Sequence, residues 1–463
     1  MDWSPSRSLL SAAAFLLGLP LLSMTAAAHG APGGEATLAG IPNWLYLSAG
    51  GLVVGVSFAL VGAFANRNSG SFDYRRWSLA PDLSTLATVG RIASVGIYAF
   101  VIILGLFGPD EIRVNYAPTF LVEIYWWVTF GIVTVLVGNA WPVVNPWKAI
   151  FEWVGEPTLD RDWPASLGTL PALAGFLVFA WLNVVVGAFV SPRLVGAFAL
   201  GYGAVMVLGM AVFGKRAWLR HGDAFTVVFD LFGRFAPVTR TDGGIAVRGY
   251  AVGLVQDRVS TRDTVVFVVA LLSVLSFDGF TETPVYAQTL RTLSPVSMAP
   301  TTASALVGGA GLLLSLSAFV AAYVVVCWLM RVASGTDRPL GAVVERFVLS
   351  LIPIAVAYHV AHYSLYYVIQ HEQLVQTLVS PLPGDPLVSD PDIIAGLPLW
   401  SIWLLLVGLV VLGHVISVWV AHHVALDFFR ERRAALRSQV PMLVLMVGYT
   451  VVSLWIISQP FGG

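Results

Sequence analysis

The amino-acid sequence predicts an all-α fold, a polytopic transmembrane helix bundle, and three observations predict it. Of 463 residues, 57% are hydrophobic and only 11% are charged, where a soluble domain carries about 25% charged residues. Ten apolar stretches follow one another at about 44–65, 88–107, 118–138, 166–190, 194–214, 264–281, 303–330, 347–370, 397–425 and 440–459. Each is long enough for a helix to cross about 30 Å of hydrocarbon. The basic residues then alternate between the loops. With the N-terminus outside, 21 of the 25 Lys and Arg fall on inner loops and helix ends, and only Arg113, Arg193 and Arg291 fall outside. A miscounted helix would scramble this positive-inside alternation. It therefore supports about ten membrane helices with both termini outside.

The chain opens with the parts of a secretory signal: Arg7, the apolar stretch 9–22, and small residues at Ala26-Ala27-Ala28. A cleavable signal peptide over 1–28 is favoured over a retained anchor, because Pro20 breaks the apolar run before the small residues. Residues 29–463 then form one integral-membrane domain, multi-pass in the cell membrane. Cleavage would expose His29, whose amine and imidazole can bind copper if another His is near; a plain spacer is the alternative.

The third stretch carries Glu123 near its outer end, followed by Trp126 and Trp127, where a carboxylate among belt tryptophans is the simplest reading. The inner loop 139–165 contains Asn139-Ala140-Trp141-Pro142 and Asn145-Pro146-Trp147. Trp147, Ile150, Phe151 and Val154 recur at helical spacing with Lys148 and Glu152 as an i,i+4 pair, which predicts an interfacial amphipathic helix. Phe225, Val228, Phe229 and Phe232 repeat the pattern over 223–236, and Thr241-Asp242-Gly243-Gly244 predicts a turn between two extended pieces. Gly209 to Lys215 matches G-x-x-x-x-G-K but is followed by Arg216 and preceded by no strand, so it is not a phosphate loop. The outer loop 371–396 has four acids, four prolines and no Lys or Arg.

The net charge of −1 argues against a nucleic-acid partner; the lipid bilayer is the expected partner, with a small hydrophobic substrate or a metal ion. The one cysteine, Cys327, excludes an internal disulfide, a Cys-ligated zinc site and an iron–sulfur cluster. Any metal must therefore be held by His, carboxylate or backbone groups. The eighth stretch places His359 near the bilayer centre and His362 one turn outward. At about 100° per residue, His359, His362, Tyr366 and Gln370 share one helix face. Asp278 and Glu282 lie one turn apart at the outer end of the sixth stretch, and Glu123 lies at a similar depth. Polar groups at that depth need partners or a protein-lined cavity. A divalent metal, zinc or copper, held by His359, His362, Asp278 and Glu282 is one expectation, with Asp278, Glu282 and Glu123 as catalytic carboxylates; a proton relay is the other. Packed core histidines and solvated helix-end acids are the plain alternatives. Tyr358, Tyr363 and Tyr367 read as packing and belt residues and not as ligands. Pro353 suits a kink below the stripe, and His414 is a remote candidate to pair with His359 on a haem.

Several motifs resemble the family of polytopic prokaryotic membrane proteins known as fenitrothion hydrolases. They run in order through nearly the whole chain: Ala28-His29-Gly30 then Ile41-Pro42-Asn43-Trp44; Trp141-Pro142 to Asn145-Pro146-Trp147; Gly233-Arg234-Phe235-Ala236-Pro237; Phe277-Asp278-Gly279-Phe280 with Glu282-Thr283; and His359-x-x-His362-Tyr363. The resemblance implies hydrolysis of an organophosphorus phosphotriester. The residues themselves leave three classes open: a metal-dependent hydrolase, a metal-ion or proton-coupled transporter or channel, and a copper-handling or assembly protein.

Overall fold

A helix occupies each of the ten apolar stretches in the computed structural model, which describes residues 37–38, 41–64, 77–79, 83–241, 244–256, 261–294, 299–379, 399–429 and 431–459. The segment 1–28 expected to be a signal peptide, His29 and most of the loop 371–396 lie outside the described residues. The bundle helices are α1 (Asn43–Phe64), α2 (Ser84–Phe107), α3 (Ala117–Leu136), α4 (Pro146–Trp153), α5 (Leu170–Ala180), α6 (Pro192–Phe213), α7 (Ala224–Phe235), α8 (Arg262–Thr281), α9 (Gly309–Ser334), α10 (Ile352–Val379), α11 (Leu399–Phe428) and α12 (Arg432–Ile457). Among the described residues, eight helical spans are long and apolar enough to cross a membrane. The first and fourth stretches contribute shorter apolar helices, at Leu47–Gly62 and Leu170–Val185. The chain is a multi-pass membrane protein of all-α class.

Local sequence sets many of the helix starts. Asn145, Ser191, Asp223 and Thr261 each accept a backbone N–H at the start of α4, α6, α7 and α8, and Pro146 and Pro192 occupy first-turn positions where no N–H is required. Packing then divides the bundle. Helices α10, α11, α12 and α1 pack in succession, α9 packs on both α12 and α8, and α2 packs along α6. The α2–α6 crossing is close because both helices present glycine: a Cβ on Gly105 would lie 2.7 Å from the Gly196 Cα. Small residues let backbones approach where lipid supplies no hydrophobic drive for association. The only regular sheet of more than two strands among the described residues is small. Val238–Thr241 and Gly244–Val247 pair antiparallel across the expected turn, and Trp77–Leu79 adds to the second strand.

The two expected interfacial helices exist, but their apolar faces meet protein. Trp147 and Phe151 of α4 are buried, as are Phe225, Val228, Phe229 and Phe232 of α7. Helix α7 packs against α5, α10 and the inner half of α3. An amphipathic period states that one face leaves water; it does not state whether lipid or protein receives that face.

Asp223 ties this region together. Its carboxylate is fully buried and accepts from Tyr202 Oη at 2.9 Å, Thr226 Oγ1 at 2.6 Å, Asn145 Nδ2 and Trp147 Nε1 at 3.2 Å each, and the Phe225 N–H at 3.1 Å. Asn139 Nδ2 donates to Asp230 and Trp141 Nε1 to Thr226, so the Asn-and-Trp-rich loop is fastened along α7. Beside it, Lys215 bridges Glu152 at 2.9 Å and Glu156 at 2.6 Å. Burial alone would lower the Lys215 ammonium, but the two glutamates outweigh it and hold it above its usual range.

Asp223→Ala would strand five donors at once. A loss of about 3–5 kcal/mol is expected, with Asp223→Asn recovering part of it. Denaturant titration in detergent measures this; a loss below about 1 kcal/mol would show that Asp223 does not fasten the region.

Candidate functional site

The helix ends opposite the arginine-rich loops carry the acids and imidazoles that the sequence singles out, and packing sorts them into two groups. The first centres on His362 of α10 and Asp278 of α8. His362 Nε2 lies 3.3 Å from Asp278 Oδ2, with side chains only 8% and 16% exposed. Tyr363 Oη donates to the same carboxylate oxygen at 2.5 Å, and Trp127 Nε1 of α3 donates to Tyr363 Oη at 3.1 Å. Three helices are thus joined by one chain of hydrogen bonds. Glu282, one turn beyond Asp278, lies within electrostatic reach of both His362 and Asp278. A small cavity of about 20 Å³ is lined by His362, Glu282 and Gln459 among apolar side chains, enough for about one water molecule.

The second group centres on Glu123. It lies in Phe120–Thr129, a stretch of α3 wound as π-helix, a form that frees carbonyls and often marks functional positions. Tyr366 hydrogen-bonds Glu123 and, on its other side, Gln370. Tyr116 donates to Gln370 Oε1. A cavity of about 140 Å³ opens beside this chain.

His359 joins neither group. It is fully buried against the rings of Trp127, Phe232 and Tyr363, whose centroids lie 5.2, 5.4 and 4.9 Å away. The bare backbone of Gly131 makes the space, since a Cβ there would lie 2.6 Å from His359 Nε2. The Val128 backbone is within electrostatic reach, but neither ring nitrogen makes a hydrogen bond of ordinary geometry. The expected four-ligand metal set is therefore not assembled: His362, Asp278 and Glu282 are neighbours, and His359 faces aromatic rings. Among the described residues no group of three His, Cys, Asp or Glu side chains has the geometry to hold a metal ion. The donor set does not fit a metal centre as it stands.

The sequence reading gave Tyr363 a packing role and Trp127 a belt position, and passed over Tyr116. Trp126 and Trp127 are interior residues and not belt residues: Trp127 is 2% exposed and Trp126 packs on Phe225 with ring centroids 4.0 Å apart. The signal for Tyr363 lay in its adjacency to His362 inside an apolar helix, which leaves a hydroxyl needing a partner.

From this end a line of buried polar groups continues toward the arginine-rich end. The Tyr358 ring stacks on His362 at 5.6 Å. Ser276 and Tyr449 share a hydrogen bond, and the Tyr449 ring is 5.6 Å from His414. His414 is 1% exposed; its Nδ1 meets the Val410 carbonyl at 2.9 Å, and its Nε2 has no partner. Further along, Ser417 donates to the Ser350 carbonyl, and His422 Nδ1 lies 2.9 Å from Gln439 Oε1. Arg346 and Asp427, paired at 2.6 Å, lie at that end.

No family model matches this chain, and neither a characterised protein nor a solved structure is detectably similar to it.

The two histidines should respond oppositely to substitution. His359→Phe, which replaces an unpaired imidazole by a ring of similar shape, should leave stability within about 1 kcal/mol. His362→Leu, which leaves Asp278 buried beside an apolar side chain, should cost about 3–5 kcal/mol. Thermal and denaturant unfolding in detergent measure both; equal losses would show that the two sites are not distinct. Gly131→Val should cost about 1–3 kcal/mol by pressing on His359, and an unchanged stability there would show that the box is loose.

Proposed function

We propose that the protein conducts protons across its membrane, as a proton-coupled transporter or channel. In this reading the His362–Asp278 pair, with Glu282 beside it, holds the proton near the outer end of the bundle. The line from Tyr358 through Tyr449 and His414 to His422 carries it toward the inner end. The observation that carries the reading is the bond between His362 and Asp278, with Tyr363 donating to the same oxygen. An imidazole and a carboxylate in contact exchange a proton at little cost in charge separation, and ionisable residues inside membrane bundles commonly mark such relays. The polar line adds support, because an esterase confined to one membrane face has no use for hydroxyls and imidazoles along the length of the bundle. Outer and inner follow the distribution of basic residues.

A second reading, hydrolysis of a hydrophobic organophosphorus ester, draws on the resemblance to the fenitrothion hydrolases and on the cavity beside His362 and Glu282. In it His362 takes a proton from a water molecule and Asp278 orients the imidazole. The cavity admits about one water but not a triester, so this reading requires the helices to part for substrate.

Protein reconstituted in vesicles, with an inward potential imposed by potassium and valinomycin, should take up protons. Asp278→Asn and His362→Ala should slow the uptake about tenfold or more. Absence of uptake in the wild type, or equal uptake in the variants, would contradict the transport reading. Turnover of a phosphotriester in detergent, lost in His362→Ala, would favour the second.

A further inference from the structure

We infer that the cavity beside Glu123 is a binding site for a small organic cation, an ammonium group carrying a compact apolar body. This supplies a cargo class for the proposed transporter. It also stands apart from that reading, because it is tested by equilibrium binding with no gradient.

The cavity lies where two helices lose α-helical winding. On one side, Phe120–Thr129 is π-wound and presents Glu123. On the other, α5 passes into a π-turn at Trp181–Val185, reverses at Gly187 with φ of 63°, and resumes as a single 3₁₀ turn at Ala188–Val190. Gly187 has no Cβ to oppose that left-handed conformation. The break brings Asn183 and Val190 to the cavity wall. In membrane carriers, interrupted helices are where backbone and polar side chains turn toward a ligand, because irregular backbone at membrane depth survives only where it lines a cavity.

The lining selects the charge of the occupant. Glu123 is its one acid, and no Lys or Arg lines it. The charged neighbour acting on Glu123 is another acid, Asp278. A bound anion would meet two acids unfavourably, whereas a bound ammonium ion would donate to the Glu123 carboxyl and favour its ionised form. Tyr116 and Tyr366 line the same space, and tyrosine rings attract cations. Ile112, Phe189 and Val190 receive an apolar body. The volume, about 140 Å³, is close to that of engineered cavities that hold benzene, which limits the ligand to about six to eight non-hydrogen atoms. An inorganic cation would leave the apolar wall unused.

Three probes of nearly equal size separate the possibilities: benzylamine, benzyl alcohol and benzoate. Full-length protein in detergent is titrated with each by calorimetry and by thermal shift. Benzylamine should bind and raise the melting temperature, while benzyl alcohol and benzoate should not. Glu123→Gln should weaken benzylamine binding about tenfold or more, and Tyr366→Phe less. Val190→Trp, which adds a bulky ring at the cavity wall and leaves Glu123 in place, should weaken binding and guards against a Glu123 variant that fails to fold. No benzylamine binding, equal binding of benzyl alcohol, or full binding by either Glu123→Gln or Val190→Trp would overturn the inference. Sodium chloride replacing benzylamine at equal effect would also overturn it, in favour of an inorganic cation. Failure of proton uptake with benzylamine binding intact would remove the transport reading and leave this site standing.

Discussion

A bilayer offers no water to a polar group at depth, so each ionisable side chain of this protein must find its partner inside the bundle. That constraint organises the molecule. Asp278 is met by His362 and Tyr363, Glu123 by Tyr366, and Asp223 by five donors from three helices and a loop. Each cluster joins helices far apart in sequence. The apolar surface makes the chain a membrane protein, but the polar contacts fix which helices are neighbours. Lipid-facing packing alone specifies neighbours weakly, because a leucine meets lipid and leucine alike.

The Asp223 and Asp278 clusters differ in what they leave available. Asp223 has all its lone pairs engaged by fixed donors, so it is a fastening. Asp278 is bonded to an imidazole and a phenol, both of which carry exchangeable protons, and its partner His362 lines a water-sized cavity. The same residue type is therefore structural at one end of the bundle and chemically available at the other. His359 and His414 extend the contrast, since both are buried with unpaired ring nitrogens. In His359 an aromatic box and the bare Gly131 account for the burial. In His414 the neighbouring Tyr449 leads back toward the His362 end.

The ten helices were legible in the sequence because apolar runs and basic loop ends are local signals. The hairpin at 238–247 was legible for the same reason, from its turn residues. The destination of α4 and α7 was not, because periodicity defines an apolar face without naming its receiver. The site was legible as a set of residues but not as groups. His359 and His362 share a broad face, yet three residues at about 100° each leave them about 60° apart. That offset turns His362 toward Asp278 on α8. Tyr366 and Gln370 each stay within about 20° of His359, on either side of it, and the three turn toward α3. One stripe in sequence is two interfaces in the fold. No local pattern marks Tyr363 as the link between them, because its role depends on Trp127 and Asp278 arriving from other helices.

The central claim is that His362 and Asp278 form a buried acid–base pair on which the outer end of the bundle depends. A double-mutant cycle tests it most directly. Unfolding free energies of the wild type, His362→Ala, Asp278→Ala and the double variant give the coupling between the two side chains. A coupling of about 1.5–3 kcal/mol is predicted for a contacting, desolvated pair. A coupling below about 0.5 kcal/mol would contradict the account, because independent sites add to within that margin.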